Sequence, residues 1–91
     1  MAGDVTNNEA QSRYELSTDA GTALAAYRLE GDTISFTHTE VPEEMEGRGV
    51  GGRLVAGALE DVRGRGLKVV PLCSFVQHYM KTHEDVRDLL A

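Results

Sequence analysis

A glycine-rich segment with two arginines, EGRGVGGRL at residues 46–54, is the part of this 91-residue chain best suited to binding an anion. It stands directly before an apolar run with helical spacing. The first turn of a helix has N–H groups without intrahelical partners and the positive end of the helix dipole. Glycines let a phosphate approach those groups closely. The segment therefore predicts an anion site, with a flexible connector as the alternative.

The segment departs from two familiar phosphate-binding motifs. Gly47, Gly49 and Gly52 fit G-x-G-x-x-G, but residues 42–46 separate them from the preceding predicted strand. A dinucleotide site needs the motif right after a strand and an acid about 20 residues later, where this chain is apolar. A P-loop needs Lys and Ser or Thr where this chain has Arg53 and Leu54. What remains is the general anion chemistry of a helix N-terminus.

Three side chains elsewhere are candidates for nucleophile, base and acid. Cys73 precedes a predicted helix, whose dipole favours the thiolate, although free cysteines more often pack as small apolar groups. His38 shares its strand face with Ile34 and Phe36 in the alternating pattern, which fits either a core histidine or a base. Tyr79 is spaced with apolar neighbours and fits either the core or an acid role.

The elements that must position these residues follow from periodicity. Alternating segments predict three antiparallel strands, with Gly31–Asp32 as a hairpin turn between the second and third. Helical spacing predicts a helix from the glycine loop to Gly64, then a strand and a short amphipathic helix. Thr82 with Asp85 resembles a capping box that would open a last short helix. The strand segments are RYELS, TALAAYRLE, TISFTHTEV and LKVVPL.

Length and composition indicate a single domain at residues 11–91 after a disordered tail at residues 1–10. The start of the chain resembles neither a signal peptide nor a membrane anchor, and one cysteine fits a reducing, cytoplasmic setting. No Cys/His cluster has metal-site spacing. A net charge of −6 argues against nucleic-acid binding. A local positive region can still exist on this acidic chain, because five basic residues fall between positions 48 and 68: Arg48, Arg53, Arg63, Arg65 and Lys68.

The hairpin, the V-P-x-x-x-x-G-x-G-V-G string and the apolar helix together resemble the coenzyme A loop of the GNAT (N-acetyltransferase) superfamily, whose motif is Arg/Gln-x-x-Gly-x-Gly/Ala. HTEVPEEMEGRGVGGRLV and GLKVVPLCSFVQHYM are similar to its small, stand-alone domains, and the likeness runs from Arg13 to Leu90. One position departs from the motif, because Glu46 stands where the family has Arg or Gln.

The resemblance implies an α+β fold: a mixed, mostly antiparallel sheet with a helix after the glycine loop and short C-terminal helices. In this family the fourth and fifth strands separate to form a slot for the pantetheine arm, here ISFTHTEV and LKVV. Members with the PLC segment place the cysteine and the histidine of HTEV near the thioester, which here are Cys73 and His38. Tyr79 corresponds to the family's acid toward the coenzyme A sulfur.

The expected activity is acetyl-coenzyme A-dependent transfer of an acetyl group to an unidentified amine, directly or through acetyl-Cys73. A non-catalytic coenzyme A-binding module and a small interaction domain are the alternatives. A monomer or weak dimer is expected, with neither a nucleic-acid nor a membrane partner. The expected catalytic residues are Cys73, His38 and Tyr79, and the expected cofactor-binding residues are Val41, Glu46, Gly47, Arg48, Gly49, Val50, Gly51, Gly52 and Arg53.

Overall fold

A computed structural model describes residues 5–19, 21–47 and 49–91 of the chain. Five strands form one sheet in the order β1-β2-β3-β4-β5, antiparallel throughout except that β5 runs parallel to β4. The strands are β1 Val5–Asn8, β2 Arg13–Thr18, β3 Gly21–Glu30, β4 Thr33–Glu40 and β5 Lys68–Pro71. The helices are α1 Val50–Gly64 and α2 Ser74–Thr82, with 3-10 turns at Glu9–Gln11, Glu43–Met45 and Glu84–Leu89. The expected α+β fold, with its mixed and mostly antiparallel sheet, is confirmed.

The core lies between one face of the sheet and the apolar side of α1. Alternate residues of β2, β3 and β4 are buried, and α1 buries the positions that recur at helical spacing. Both periodicities are those of elements with one buried face. The largest fully buried side chains are Tyr14, Leu16, Ile34, Phe36, Leu54, Val55, Leu59, Val62, Val69, Val76 and Met80. Within the described ranges, no helix has the length and apolar character needed to span a membrane.

A β-bulge in β4 changes which way the end of that strand faces. Tyr27 pairs with Phe36 and Ala26 with His38, so Thr37 is an extra residue between them. One extra residue reverses the alternation of side chains beyond it. The His38 side chain is therefore 60% exposed, with Nε2 lying 2.9 Å from Oε2 of Glu40. The prediction that His38 shares a face with Ile34 and Phe36 was wrong.

Residues 5–10 of the predicted disordered tail are ordered. Strand β1 pairs with β2 along its whole length, and Asn7 Oδ1 accepts a hydrogen bond of 2.7 Å from the Tyr27 hydroxyl. Val5 packs against α1 so closely that a Cβ on Gly57 would lie 2.5 Å from its Cγ2. These partners, which are distant in sequence, order a polar segment whose own composition predicts disorder. Residues 1–4 of the predicted tail lie outside the described residues.

The C-terminal segment returns to the free edge of β5. Leu90 forms a parallel bridge with Val69, and the Ala91 N–H donates to the Val69 carbonyl at 2.9 Å. The predicted capping box is wrong, because the Thr82 hydroxyl donates back into α2, to the carbonyls of His78 and Tyr79. The expected last short helix is present as the 3-10 helix Glu84–Leu89.

Two of the basic residues between positions 48 and 68 lie far from the glycine loop. Arg63 Nη1 donates to Asp88 at 2.9 Å, and Arg65 Nε donates to Asp61 at 2.7 Å. Both arginines lie at the C-terminal end of α1, about 20 Å along the helix from the glycines at its start. Arg63 thus ties the C-terminal segment to α1, and Arg65 also lies 3.8 Å from Oε2 of Glu9 near the start of the described chain.

Candidate functional site

An open cleft of about 620 Å³ lies between the end of β4 and the start of α1. Its walls bring together seven of the nine predicted cofactor-binding residues. Arg53 lines an adjoining basin, and Arg48 lies outside the described residues. The cleft is lined by Thr22, Thr39, Glu40, Val41, Pro42, Glu46, Gly47, Gly49, Val50, Gly51, Gly52 and Phe75.

The inner end of the cleft lies where β4 and β5 part. The two strands pair only from Thr33 with Lys68 to Phe36 with Pro71. The N–H groups of Leu72 and Cys73 then both donate to the Phe36 carbonyl, at 3.0 and 2.9 Å, and the chain turns into α2. From residue 37 to residue 40, β4 runs on with no β5 residue paired to it. This stretch of strand edge can pair with an extended ligand.

The outer end of the cleft is the N-terminus of α1. Gly49 is the N-cap, with a φ of 75° that disfavours other residues. Its carbonyl accepts the first intrahelical bond, from the Arg53 N–H at 3.0 Å. The N–H groups at the first helical positions have no intrahelical acceptors. A Cβ on Gly52 would meet nothing within 4 Å, so the surface beside these donors is open to an anion.

Phe75 forms the wall of the cleft opposite the glycines. A Cβ on Gly51 would lie 2.4 Å from Cζ of Phe75, so the ring sits directly against that glycine. The ring is still 40% exposed. The apolar pattern predicts a core position for Phe75, as for Val76 and Met80, and only the latter two are buried. Phe75 therefore belongs to the cleft rather than to the core.

Cys73 lies at the N-cap of α2, partly buried beside the inner end of the cleft. Its Sγ is 3.1 Å from Oγ1 of Thr39, which lines the cleft. Burial raises the pKa of the thiol, but the Thr39 hydroxyl and the backbone N–H groups of Val76, Phe75 and Thr39 outweigh that effect and lower the pKa. Sγ makes no side-chain cap hydrogen bond to α2, so the Thr39 hydroxyl is its closest hydrogen-bonding group. The thiolate is the favoured nucleophilic form.

The structure does not bring the other two predicted catalytic residues into the cleft. His38 lies on the outer side of β4, paired with Glu40. Tyr79 lies beyond Phe75, where its ring stacks on that of His83 with a centroid distance of 3.8 Å. Burial, and secondarily the Asp85 charge, raise the pKa of the Tyr79 hydroxyl. Cys73 is thus the predicted catalytic residue that lies beside the cleft.

Five of the residues that line the cleft were missed from the sequence: Thr22, Thr39, Glu40, Pro42 and Phe75. Thr39 faces the cleft because of the bulge in β4, and simple alternation gives the opposite orientation. Phe75 carries no usable signal, because its apolar spacing with Val76 and Met80 indicates a core position and residues two apart on a helix do not share a face.

Known proteins share both this sequence and this fold. A family model described as GCN5-related N-acetyltransferase matches residues 13–89. The NATD1 proteins of Xenopus tropicalis and Mus musculus are each 37% identical over 60 residues, which is 65% of this chain and 55% and 54% of theirs. The chain spans about half the length of these relatives. A GCN5-like protein from Staphylococcus aureus, solved by NMR, matches 96% of this chain and 86% of its own with a TM-score of 0.75 and 26% identity.

Proposed function

The chain belongs to the GCN5-related N-acetyltransferase family, and from this premise we propose that it transfers an acetyl group from acetyl-coenzyme A to an amine. The observation that carries the proposal is the continuity of the cleft, from the open helix N-terminus at Gly52 to the strand edge beside Thr39 and Cys73. A thioester with a long pantetheine arm and a pyrophosphate matches that shape and chemistry. The single cysteine fits a reducing cytoplasm, where we expect a monomer or weak dimer.

The two ends of the cleft suit the pyrophosphate and the pantetheine arm of acetyl-coenzyme A. The pyrophosphate would lie against the first N–H groups of α1, where glycines leave room for it. The pantetheine arm would follow the unpaired edge of β4 from Glu40 toward the point where β4 and β5 part, its amides bonding to the strand backbone. Phe75 and Val41 supply apolar walls for the arm.

The lowered pKa of Cys73 supports a covalent route. The Cys73 thiolate attacks the acetyl carbonyl carbon, a new bond from sulfur to carbon forms, and the bond from that carbon to the coenzyme A sulfur breaks. The released coenzyme A thiolate takes a proton from solvent. A neutral amine then attacks acetyl-Cys73, gives up a proton, and restores the Cys73 thiolate. Direct transfer from the thioester to the amine is the alternative route.

A non-catalytic module that binds coenzyme A thioesters is the second candidate function. The observation that favours it is the presence of two exposed carboxylates, Glu40 and Glu46, in the walls of the cleft. These carboxylates oppose the phosphates of the donor, and in the described residues only β1 and the 3-10 turn Glu9–Gln11 precede β2. Such a protein would hold the thioester without turning it over.

Two measurements on the wild-type chain separate these functions. Calorimetric titration with acetyl-coenzyme A reports binding, and free thiol release with a panel of primary amines and polyamines reports transfer. Mass spectrometry after incubation with acetyl-coenzyme A alone should show one acetyl group at Cys73, absent from Cys73→Ala. Binding without thiol release or an adduct would favour the binding module, and release by Cys73→Ala at the wild-type rate would favour direct transfer.

A further inference from the structure

Cys73 has a second potential nucleophile, the Thr39 hydroxyl, directly beside it. The Sγ atom of Cys73 lies 3.1 Å from Oγ1 of Thr39, and Thr39 lines the cleft. The two residues meet because β4 continues past the end of β5 with residue 39 turned toward the cleft, where Cys73 is the N-cap of α2. Any group that is carried on Sγ therefore borders a hydroxyl group of the same chain.

The separation of the two atoms suits transfer of an acyl group between them. An acetyl group on Sγ has its carbonyl carbon one covalent bond from the sulfur, and reacting atoms in a near-attack geometry are about 3–3.5 Å apart. The Thr39 oxygen is already 3.1 Å from Sγ itself. Well-oriented groups within one molecule reach effective concentrations of about 10⁵–10⁸ M, which offsets the weak nucleophilicity of a neutral hydroxyl. The Thr39 hydroxyl can therefore compete with a dissolved amine.

The surroundings of the sulfur also favour its departure from an acetyl group. Burial raises the pKa of the Cys73 thiol, but the Thr39 hydroxyl and the backbone N–H groups of Val76 and Phe75 lower that pKa overall. A thiol with a lower pKa is a faster leaving group. N–H groups at a helix N-terminus are also suited to stabilise the negative charge that develops on the carbonyl oxygen during transfer.

We propose that Thr39 is an internal acetyl acceptor, which takes the acetyl group from acetyl-Cys73 when no amine is bound and becomes O-acetylthreonine. The inference rests on the covalent route of the proposed function. The Thr39 oxygen forms a bond to the acetyl carbonyl carbon, the bond from that carbon to Sγ breaks, and the hydroxyl proton passes to the departing sulfur. An oxygen ester is more stable than a thioester, so the shift runs from Cys73 to Thr39.

Such a shift would limit the activity of the protein when the acceptor amine is scarce. O-acetylation removes the hydroxyl donor that helps to lower the pKa of Cys73. It also leaves an ester group in the wall of the cleft, where the thioester end of the donor must fit. Cys73 is then a free thiol again, but a less ionised one in a narrower site. Preincubation with acetyl-coenzyme A alone should therefore cause a progressive loss of transfer activity that persists after gel filtration.

Tryptic peptides separate the two positions, because residues 29–48 contain Thr39 and no lysine, whereas residues 69–81 contain Cys73. The chain is incubated with acetyl-coenzyme A without amine and then with iodoacetamide. Intact mass of the wild-type chain should show an acetyl and a carbamidomethyl group in one molecule, with the acetyl group on residues 29–48 and the carbamidomethyl group on Cys73. Thr39→Val should retain acetyl-Cys73, which resists alkylation, and Thr39→Ser should keep the shift.

Thr33→Val is the matched control, because Thr33 lies at the other end of β4, where it pairs with Lys68. Circular dichroism and melting temperature confirm that each variant is folded. If the acetyl group stays on Cys73 of the wild-type chain, or if Thr39→Val still gains acetyl on residues 29–48, the assignment is wrong and the covalent route stands. If an amine is acetylated but neither peptide ever carries acetyl, the assignment fails and the proposed transfer stands as a direct reaction. If acetyl-coenzyme A neither binds nor releases thiol, the proposed function fails and the assignment fails with it.

Discussion

At the scale of single residues, the contact between Thr39 and Cys73 is the one most directly tied to reactivity. A thiolate accepts hydrogen bonds and cannot donate one, so the Thr39 hydroxyl is the donor once the sulfur is ionised. Hydrogen bonds to charged groups contribute more than those between neutral groups. The lowered pKa of Cys73 therefore depends on a residue 34 positions away along the chain.

Thr39→Val, which keeps the shape and removes the donor, should raise the pKa of Cys73. The pH profile of alkylation by iodoacetamide should shift to higher pH, because less thiolate is present at any pH below the folded pKa. At pH 7 the rate should fall by roughly up to tenfold. Ser17→Ala, a change at an exposed hydroxyl on β2, is the control. An unshifted profile would show that the backbone N–H groups of Val76, Phe75 and residue 39 lower the pKa without the hydroxyl.

Glu46 is the residue where this chain departs from its family's loop motif. Its carboxylate is exposed and lines the cleft at the end that we assign to the pyrophosphate. Glu46→Gln should tighten acetyl-coenzyme A binding about threefold to fivefold at low ionic strength, and the gain should shrink in salt because exposed charges are screened. Calorimetry at two ionic strengths measures this. Weaker binding by the variant would mean that Glu46 holds the loop in its binding shape.

At the scale of elements, the hydrophobic periodicity of the sequence predicted the strands and the helix that bury one face. The other features of the fold depend on contacts between residues that are distant in sequence. Strands β2 to β5 and helix α1 lie where alternation and helical spacing place them. The polar strand β1 has no such pattern and is ordered by Val5 against Gly57 and by Asn7 against Tyr27. The bulge in β4 has no sequence signature that we recognise, and it exchanges the orientations of His38 and Thr39.

The glycines of α1 have two different roles. Gly57 allows close packing between elements, whereas Gly52 leaves the surface open for a ligand. Gly57→Ala places a methyl group 2.5 Å from Val5, so β1 must shift although alanine favours the helix. We expect a net loss of about 1–2 kcal/mol in the free energy of unfolding. Gly64→Ala, where a Cβ meets nothing within 4 Å, should be neutral or stabilising. Thermal melts measure both, and faster amide exchange at residues 5–8 in Gly57→Ala alone would locate the damage.

Gly52→Ala should change stability and ligand binding in opposite directions. A Cβ there has free space within the protein, so the helix should gain up to about 1 kcal/mol in the free energy of unfolding. The same methyl group would stand where the pyrophosphate approaches the helix, and acetyl-coenzyme A binding should weaken roughly tenfold or more. Gly64→Ala is again the comparison, because it lies outside the cleft. A stabilised Gly52→Ala with unchanged affinity would make this glycine a connector only.

At the scale of the whole molecule, the side-chain bonds that hold other elements to α1 and the cleft lie at opposite ends of that helix. Arg63 bonds to Asp88 and holds the pKa of that carboxyl below its usual range, while the Tyr14 hydroxyl donates to Asp61 at 2.6 Å. These contacts tie the C-terminal segment and β2 to the C-terminal half of the helix. The glycine end carries the open cleft and basin. A ligand there should add contacts at the end of α1 opposite these ties.

Acetyl-coenzyme A should therefore raise the melting temperature of the whole chain. A ligand that binds only the native state adds RT ln(1 + [L]/Kd), about 2.7 kcal/mol at a hundredfold excess over Kd. For a chain of this size each kcal/mol moves the melting temperature by about 4–8 °C, so a shift of about 10–20 °C is expected. Cys73→Ala should show the same shift, because it removes a nucleophile and not the binding surface. ATP at the same concentration should shift it less, because ATP has no pantetheine arm to fill the gap between β4 and β5. Equal shifts with both ligands would mean that the helix N-terminus binds phosphates in general and that the cleft contributes no selectivity for the thioester.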